Sequence, residues 1–298
     1  VGNRAAAQFQ IDSYGHLFEA LSGYLHSGGT MDAPMQDVVD GFSREVLNHW
    51  QQADNGIWEL TARKHYTYGK VMAWLALRHA CRLSTLPCTE LEQEALRIRN
   101  QVLAKGLGRE NGKSFLAEAY GGDSVDASGL LAFTLGFLSG EQAAYTRQKI
   151  EKDLGAGAFV YRNPVKRKQE GEGAFLLCSF WLINHLIREG DLDKAGQYLE
   201  EILRAAGPLG LYAEEIDVAS GEFLGNFPQA FTHLGLITAI LNLDEAGRTP
   251  GFFSLTDSEK FTGSVGATIG WKGVISGFFR VPRTLRLLFS SASKWKHG

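Results

Sequence analysis

Hydrophobic residues recur along this chain at the three- and four-residue spacing of α-helices, whereas the alternating runs typical of strands are almost absent. The pattern predicts an all-α protein. The predicted helices are Gln8–His26, Met35–Gln51, Gly69–Ser84, Thr89–Lys105, Ser124–Leu138, Gly140–Leu154, Gly171–Arg188, Asp191–Ala206 and Pro228–Leu241.

The predicted helices alternate between two kinds. Gly171–Arg188 is hydrophobic on nearly every side, as in a helix buried on most sides, whereas Asp191–Ala206 carries one hydrophobic stripe and one charged face. Between them, Gly190 is a stop signal and Asp191 a helix N-cap, so the two helices are expected to form a hairpin. The two helices predicted before this pair repeat the scheme.

Alternating buried and amphipathic helices are typical of two concentric helical layers, as in an α/α barrel. An α-solenoid is the alternative, although no short sequence repeat is visible. At one end of a barrel the loops surround a central pocket. Three long polar loops are candidates for that position: Gln52–Tyr68, Val160–Glu172 and Pro208–Phe227.

The composition changes after Leu243, where a stretch rich in Gly, Ser and Thr leads into a basic segment. We therefore expect a helical domain over residues 1–243 and a C-terminal extension over residues 244–298. Basic residues interleaved with aromatic ones can contact an anionic membrane surface. A docked surface helix or a flexible tail is the simpler interpretation, so a membrane partner is not expected.

Composition and charge exclude several classes of function. The chain of 298 residues has a formal net charge of −3, which argues against a nucleic-acid partner. Cys81, Cys88 and Cys178 have no metal-ligand spacing and suggest no disulfide framework, so neither a metal site nor a disulfide is expected. No phosphate-binding loop occurs, and no cofactor is expected. The first residues lack a signal-peptide pattern and an initiator Met, so we expect a cytoplasmic protein whose given sequence begins within a longer chain.

The first candidate for chemistry is the segment Asp54–Glu59. Asp54-Asn55-Gly56 is a turn signal, and it presents Trp58 and then Glu59 just before a buried helix. The indole of Trp58 offers a flat hydrophobic face on which a sugar ring can stack. A carboxyl beside an indole is partly removed from water, which suits a general acid. The alternative is that Trp58 fills the helix layer and that Glu59 is solvated.

The second candidate is the loop that contains Tyr212, Glu214, Glu215 and Asp217. Three carboxyl groups within four residues cannot all ionise without mutual repulsion, so at least one is expected to be perturbed and to serve as a base. A solvated acidic loop is the alternative. Together, the two candidates match the requirement of an inverting glycosidase for a protonated acid and an ionised base about 6.5–9.5 Å apart.

Several segments, in this order along the chain, resemble glycoside hydrolase family 15, the group of glucoamylases, glucodextranases and trehalase-like enzymes. They cover the chain from its start to about Leu243. The segments are Gly2–Gly15, Asp54–Glu59, Val125–Ser128, Glu172–Trp181 and Gly210–Asp217 with Leu224–His233.

The resemblance implies an (α/α)6 barrel and an inverting reaction that releases β-glucose. It implies that Glu59 is the general acid and Glu214 the general base, that Trp58 lines the sugar site and that Arg162 holds sugar hydroxyls. The remaining residues expected at the substrate site are Tyr212, Glu215, Asp12 and Tyr14. For Asp12 and Tyr14, a buried structural pair is an equal alternative, and Asp126 is interpreted as a helix N-cap.

The chain also departs from the family pattern. The family barrel has twelve helices, about nine are predicted here, and the Trp-x-Arg-Asp loop that grips the terminal glucose is absent. The barrel is therefore expected to be incomplete at its N-terminus. Two main functions follow: an exo-acting inverting hydrolase of trehalose or α-glucans, or a truncated, non-catalytic module for carbohydrate binding or assembly. An unrelated α/α toroid, such as a scaffold, is the third.

Overall fold

The structure is a computed structural model that describes residues 4–165, 169, 171–207 and 209–248. The described residues form mainly α-helices, which are joined by long loops and short β-hairpins. The described residues form two compact units. The first unit comprises those within Val1–Gly155 and Tyr161–Lys168, and the second comprises those within Ala156–Val160 and Gln169–Gly298. The sequence predicted one domain over residues 1–243, and two units are found in that range.

The first unit contains six α-helices and a hairpin among its described residues. They are a 3-10 helix over Arg4–Ala7, α1 (Asp12–His26), α2 (Ala33–His49), α3 (Thr67–Leu83), α4 (Cys88–Lys105), β1 (Leu107–Glu110), β2 (Lys113–Leu116), α5 (Gly129–Thr134) and α6 (Gly140–Leu154).

Helix α3 forms the centre of the first unit. Its side chains are buried along most of its length, including Val71, Met72 and Leu75 at 1 % exposure or less, and α1, α2 and α4 pack against it. Helix α4 is buried only along one stripe, which includes Leu91 and Ile98. Burial of each large side chain of this kind contributes about 1.5–3 kcal/mol. The predicted alternation of buried and amphipathic helices is thus present here.

The second unit contains three further α-helices among its described residues. Its elements are β4 (Phe159–Val160), β5 (Ala174–Phe175), α7 (Leu176–Glu189), α8 (Leu192–Arg204), β6 (Glu215–Ile216), β7 (Phe223–Leu224) and α9 (Ala230–Arg248), and β3 (Gly155–Ala156) precedes β4 at the junction with the first unit. Strands β5, β6 and β7 form an antiparallel sheet.

The hairpin of α7 and α8 has the ends that the sequence predicted. Gly190 ends α7 in the left-handed conformation, with φ +85°. The side chain of Asp191 accepts a hydrogen bond from the backbone N–H of Lys194 at 3.3 Å and thereby caps α8. This cap satisfies a backbone donor that would otherwise lack a partner at the helix start.

Several predicted boundaries are wrong. The helix expected over Ser124–Leu138 is only α5, because residues 123–128 form a loop. The prediction that strands are almost absent missed β1 and β2, which are joined by Asn111 and Gly112 at φ +52° and φ +77°. Asn-Gly is the preferred sequence for such a two-residue turn, so a local signal existed. The predicted boundary at Leu243 lies within α9, and the rest of the predicted C-terminal extension lies outside the described residues.

The expectation that the chain forms no disulfide is also wrong. Cys81 at the end of α3 and Cys88 at the start of α4 form a disulfide bond, with their Cα atoms 4.5 Å apart. Only the hairpin between the two helices brings the cysteines to this distance, which the spacing of seven residues did not reveal. Cys178 is free and buried in α7.

Helices α1 and α2 leave a hydrophobic groove of about 460 Å³ on the first unit. Leu17, Tyr24 and Val38 line it and are each 44–48 % exposed. Exposed hydrophobic faces of this kind are uncommon on the surface of a folded monomer. No helix among the described residues is long and apolar enough to cross a membrane.

Candidate active site

The loop that carries Glu59 is closed at its base by a short antiparallel bridge. The backbones of Asp54 and Lys64 exchange two hydrogen bonds of 2.9 Å. Within the loop, Gly56 adopts φ +68°, and a Cβ atom at this position would lie 2.9 Å from the ring of Tyr66. Only glycine fits such a turn without strain, so the turn signal read from the sequence has a steric cause.

A buried ion pair anchors the loop to α3. The carboxyl of Asp54 is fully buried and accepts hydrogen bonds from the backbone N–H of Gly56 at 2.8 Å and from the ammonium of Lys70 at 3.2 Å. Lys70 also donates to the carbonyl of Gln52. Burial raises the pKa of the Asp54 carboxyl and lowers that of the Lys70 ammonium, and the attraction between them opposes both shifts.

The loop is tied a second time to the segment before α1. The side chain of Asn55 accepts a hydrogen bond from the backbone N–H of Phe9 at 3.1 Å and donates one to the carbonyl of Leu60 at 2.8 Å. The side-chain amide of Gln8 donates to the carbonyl of Glu59 at 3.0 Å. The backbone around Glu59 is therefore held from both sides.

Glu59 has an unusual backbone conformation. Its φ is +54°, and Asn111 is the other non-glycine residue with a positive φ in the described part of the chain. Such a conformation costs a residue with a side chain about 1–3 kcal/mol, and it persists where the surrounding contacts impose it. Here those contacts hold the Glu59 carboxyl on an exposed turn beside Trp58. The partial removal from water expected for this carboxyl is absent, because the side chain of Glu59 is exposed.

The indole of Trp58 is held by a buried carboxyl. Its N–H donates to Asp126 at 2.7 Å, and the hydroxyl of Ser128 donates to the other oxygen of the same carboxyl at 2.6 Å. Burial, followed by the charge of Glu118, raises the pKa of Asp126 to about 7. The interpretation of Asp126 as an N-cap accounts for only part of its contacts, because its carboxyl accepts from the backbone N–H of Gly129, the first residue of α5, and also from the Trp58 and Ser128 side chains.

Arg162 reaches the same region through its backbone. Its carbonyl accepts a hydrogen bond from the backbone N–H of Ala127, next to Asp126, at 2.9 Å. Three loops that are distant in sequence thus meet in the first unit, and they carry Trp58, Asp126 and Arg162. The sequence predicted Trp58 and Arg162 for this site, but not the role of Asp126.

The two other residues predicted for the first unit lie on α1. The ring of Tyr14 packs edge-on against Phe42 with centroids 5.3 Å apart. Asp12 is 5 % exposed, and one of its carboxyl oxygens has no hydrogen-bond partner within the described residues. Burial raises the pKa of Asp12 to about 6. Asp12 is thus buried and Tyr14 is partly buried, and a contact of either side chain with substrate stays a prediction.

The loop of the second unit presents Glu214 on an ordered backbone. Its N–H donates to the carbonyl of Asn226 at 2.9 Å, and its carbonyl accepts from the N–H of Leu176 at 3.1 Å. The half-buried carboxyl accepts two hydrogen bonds from Asn226, at 3.0 Å from the side-chain amide and at 3.3 Å from the backbone N–H. A Cβ atom on Gly225, where φ is +73°, would lie 2.9 Å from the carboxyl. Close packing against Gly225 and the hydrogen bonds from Asn226 therefore fix the position of one carboxyl oxygen of Glu214.

Two residues of the second unit that were predicted to contact substrate, Tyr212 and Glu215, are buried. Tyr212 is 1 % exposed, and its hydroxyl donates to the carbonyl of Ile202 at 3.4 Å. Burial raises the pKa of Tyr212 to about 12. Glu215 is 7 % exposed and accepts from the backbone N–H of Gly173 at 2.9 Å. Neither side chain is exposed in this structure, and a contact of either with substrate stays a prediction. Phe227 is an exposed aromatic residue of this loop, at 55 %.

Among the described residues, one group has ligand atoms close enough to hold a metal ion. It consists of Cys81, Cys88 and Glu92. The two sulfur atoms are joined in the disulfide and supply no thiolate ligands. The group lies between α3 and α4 and contains none of the candidate catalytic residues.

The sequence profile described as "Glycosyl hydrolases family 15" matches residues 1–241. A trehalase of Thermoplasma volcanium is 36 % identical over 258 residues, which cover 83 % of this chain and 41 % of that enzyme. A trehalase of Mycolicibacterium smegmatis is 35 % identical over 260 residues, covering 83 % of this chain and 38 % of the enzyme. The chain thus spans about two fifths of the length of these relatives.

Solved structures show the same fold. A glycosidase in complex with glucose superposes with a TM-score of 0.66 at 23 % identity, covering 82 % of this chain and 68 % of that one. A glucoamylase of Saccharomycopsis fibuligera superposes with a TM-score of 0.63 at 11 % identity, covering 80 % and 70 % respectively. The predicted fold class, that of the (α/α)6 barrels, is thereby confirmed. On the profile match and the identity to the trehalases, this chain belongs to glycosyl hydrolase family 15.

Proposed function

We propose that this chain supplies the acid and the base of an inverting hydrolase that releases glucose from α-glucosides, with trehalose as its substrate. The observation that carries the proposal is the conformation of Glu59. Its positive φ of +54° is held by Asn55, Gln8 and the turn at Gly56, and its side chain is exposed. Conformational strain of this kind is concentrated at functional sites.

In the proposed reaction, the protonated carboxyl of Glu59 donates its proton to the glycosidic oxygen as the bond from that oxygen to C1 breaks. Ionised Glu214 takes a proton from a water molecule, whose oxygen attacks C1 from the opposite face. Two hydrogen bonds from Asn226 fix the position of one carboxyl oxygen of Glu214. The proposal requires the two carboxyls to stand about 6.5–9.5 Å apart around the bound sugar.

The remaining residues would bind the sugar. The flat face of Trp58 suits stacking against a glucose ring, and its indole is fixed by Asp126. We assign Arg162 to the sugar hydroxyls, because its backbone is bonded next to the residue that holds Trp58. Exposed Phe227, which follows Asn226, offers a second hydrophobic face beside the proposed base. Trehalose is preferred over longer glucans because the relatives at 30–36 % identity are named trehalases.

The stereochemistry of the products tests this proposal. Inverting hydrolysis of α,α-trehalose yields one β-glucose, from the ring that is attacked, and one α-glucose, from the ring that leaves. We therefore expect proton NMR to show equal amounts of both anomers before mutarotation, and β-glucose as the first sugar released from the non-reducing end of maltose. Release of α-glucose alone from trehalose would contradict an inverting mechanism.

A non-catalytic carbohydrate-binding module is the second candidate, since the indole of Trp58, fixed by Asp126, can stack on a sugar without any reaction. Its signature would be saturable binding of trehalose without any release of glucose. Binding of trehalose that quenches tryptophan fluorescence, and that is lost in Trp58→Ala, would establish this alternative if no turnover accompanies it.

A further inference from the structure

The indole of Trp58 is oriented by a hydrogen bond at one edge of its ring. The N–H group that donates to Asp126 lies to one side of the bond that joins the ring to Cβ, and the donor–acceptor distance is 2.7 Å. A tryptophan side chain has two rotatable bonds, so fixing this edge removes most of its rotational freedom. Trp58 immediately precedes Glu59, so the same bond also restrains the peptide unit that carries the proposed acid.

The carboxyl of Asp126 is buried and accepts hydrogen bonds from several donors. It is 6 % exposed, and it accepts from the indole of Trp58, the hydroxyl of Ser128 and the backbone N–H of Gly129, all neutral donors. Burial of a carboxyl with neutral partners is unfavourable, and a simple N-cap needs no such burial. The neighbouring Ala127 donates its backbone N–H to the carbonyl of Arg162. Asp126 therefore stands where the loops of Trp58 and Arg162 meet.

We infer that Asp126 is a positioning residue, which fixes the Trp58 indole as one wall of the glucose site and thereby sets where Glu59 presents its carboxyl. This inference rests on the proposed function for its effect on turnover, but the bond between the two side chains can be measured without any substrate. No role in proton transfer is assigned to Asp126.

The strength of this bond depends on pH. An ionised carboxyl accepts a stronger hydrogen bond than a protonated one, and burial together with the charge of Glu118 places the pKa of Asp126 at about 7. The hydroxyls of Tyr66 and Tyr68 also sense the charge of Asp126, and both stay protonated near neutral pH because burial raises their pKa. Arg162 is the cationic residue on the neighbouring loop. The indole signal of Trp58 should therefore titrate near neutral pH.

The test uses NMR of the chain labelled with ¹⁵N at its six tryptophan indoles. Trp58→Phe identifies the Trp58 signal by its loss. We expect the Trp58 indole N–H signal downfield in the unmodified chain and shifted upfield in Asp126→Ala. In Asp126→Asn, whose amide oxygen can still accept a hydrogen bond, the chemical shift should be intermediate and should not change with pH near 7. Asp123→Ala, in the same loop but exposed, is the matched control and should leave the signal unchanged. An unchanged Trp58 signal in Asp126→Ala would overturn the inference whatever the activity.

Turnover supplies the second readout. We expect kcat/KM for trehalose to fall about a hundredfold in Asp126→Ala, the scale of loss when a group is misplaced by 1 Å. The kcat/KM of Asp126→Asn should be higher than that of Asp126→Ala. Adding Asp126→Ala to Trp58→Phe should lower kcat/KM little further than Trp58→Phe does alone. Equal losses in both backgrounds would overturn the positioning role. If the unmodified chain hydrolyses no glucoside, the proposed function fails, and the indole signal alone decides whether Asp126 holds Trp58.

Discussion

At the scale of single residues, the structure distinguishes side chains that present chemistry from side chains that support them. Glu59 and Glu214 are accessible or half-buried, whereas Tyr212 and Glu215 are buried and bonded to backbone groups of their own unit. The sequence predicted the first two as the candidates of their loops, through the turn before Trp58 and the resemblance to the family, and these roles stay predictions. It did not show that Glu215 is buried, because the short strand that contains Glu215 has no alternating pattern long enough to recognise.

The strained conformation of Glu59 leads to a prediction about stability and activity. Glycine adopts a φ of +54° without strain, so Glu59→Gly should leave the free energy of unfolding unchanged or raise it by about 1 kcal/mol. Hydrolysis of trehalose should be abolished in the same variant. Asn111→Gly is the matched control at the other positive-φ position, where activity should persist. Denaturant unfolding and a glucose-release assay measure the two effects, and a marked loss of stability in Glu59→Gly would contradict the strain argument.

The buried carboxyl of Asp126 predicts how stability changes with pH. Its pKa of about 7 in the folded chain exceeds the ordinary value of 3.8, so the folded state binds more protons than the unfolded state between these values. The contribution of Asp126 to stability is therefore greatest at low pH and is lost as pH rises towards 7. Relative to Asp126→Asn, the unmodified chain should lose stability from pH 4 to pH 7. Parallel stability curves for the two proteins would contradict the raised pKa.

At the scale of elements, the loops depend on contacts that no local pattern shows. Helix α6 lies at the predicted residues, and the hairpin of α7 and α8 has the predicted caps, because both depend on local spacing and capping. Helix α5 was predicted too long, since the side chains of Asp126 and Ser128 favour a loop over the preceding residues. The bond between Trp58 and Asp126 spans 68 residues, and a single sequence contains no signal for it.

The ion pair between Asp54 and Lys70 predicts a specific loss of stability. Lys70→Met removes the only charge that hydrogen-bonds the buried Asp54 carboxyl among the described residues, which should cost about 3–5 kcal/mol of unfolding free energy. Lys64→Met is the matched control, since Lys64 is exposed and bridges Asp54 through its backbone alone. Guanidinium unfolding measures both. Equal stability of the two variants would show that the ion pair does not anchor the loop of Glu59.

Two glycines of the second loop test how closely Glu214 is held. Gly225 and Gly221 have similar φ, +73° and +75°, so an alanine at either position should cost about 1 kcal/mol of stability. A Cβ atom on Gly225 would meet the Glu214 carboxyl, whereas a Cβ atom on Gly221 would meet nothing within 4 Å. Gly225→Ala should therefore lower kcat for trehalose at least tenfold, and Gly221→Ala should not. Equal kcat values in the two variants would contradict the proposed fit.

At the scale of the whole molecule, the order of motifs along the chain was more informative than any single motif. The resembling segments predicted the family, and the match over residues 1–241 confirms it. The division into two units, the disulfide between Cys81 and Cys88, and the hydrophobic groove on α1 and α2 were not predicted, because each depends on how helices pack in space and not on a local pattern. The proposed activity of the chain depends on the separate roles of the Glu59 and Glu214 carboxyls.

The separate roles of Glu59 and Glu214 can be measured with α-glucosyl fluoride, whose fluoride leaving group needs no proton. Each of Glu59→Gln and Glu214→Gln should lower kcat for trehalose by about 10²–10⁴-fold. On α-glucosyl fluoride, Glu59→Gln should recover most of the unmodified rate, whereas Glu214→Gln should stay inactive. Glu222→Gln, an exposed carboxyl of the same loop, is the control and should hydrolyse both substrates normally. A Glu59→Gln variant that is equally impaired on both substrates, or a Glu214→Gln variant that retains full activity, would contradict the assignment of acid and base.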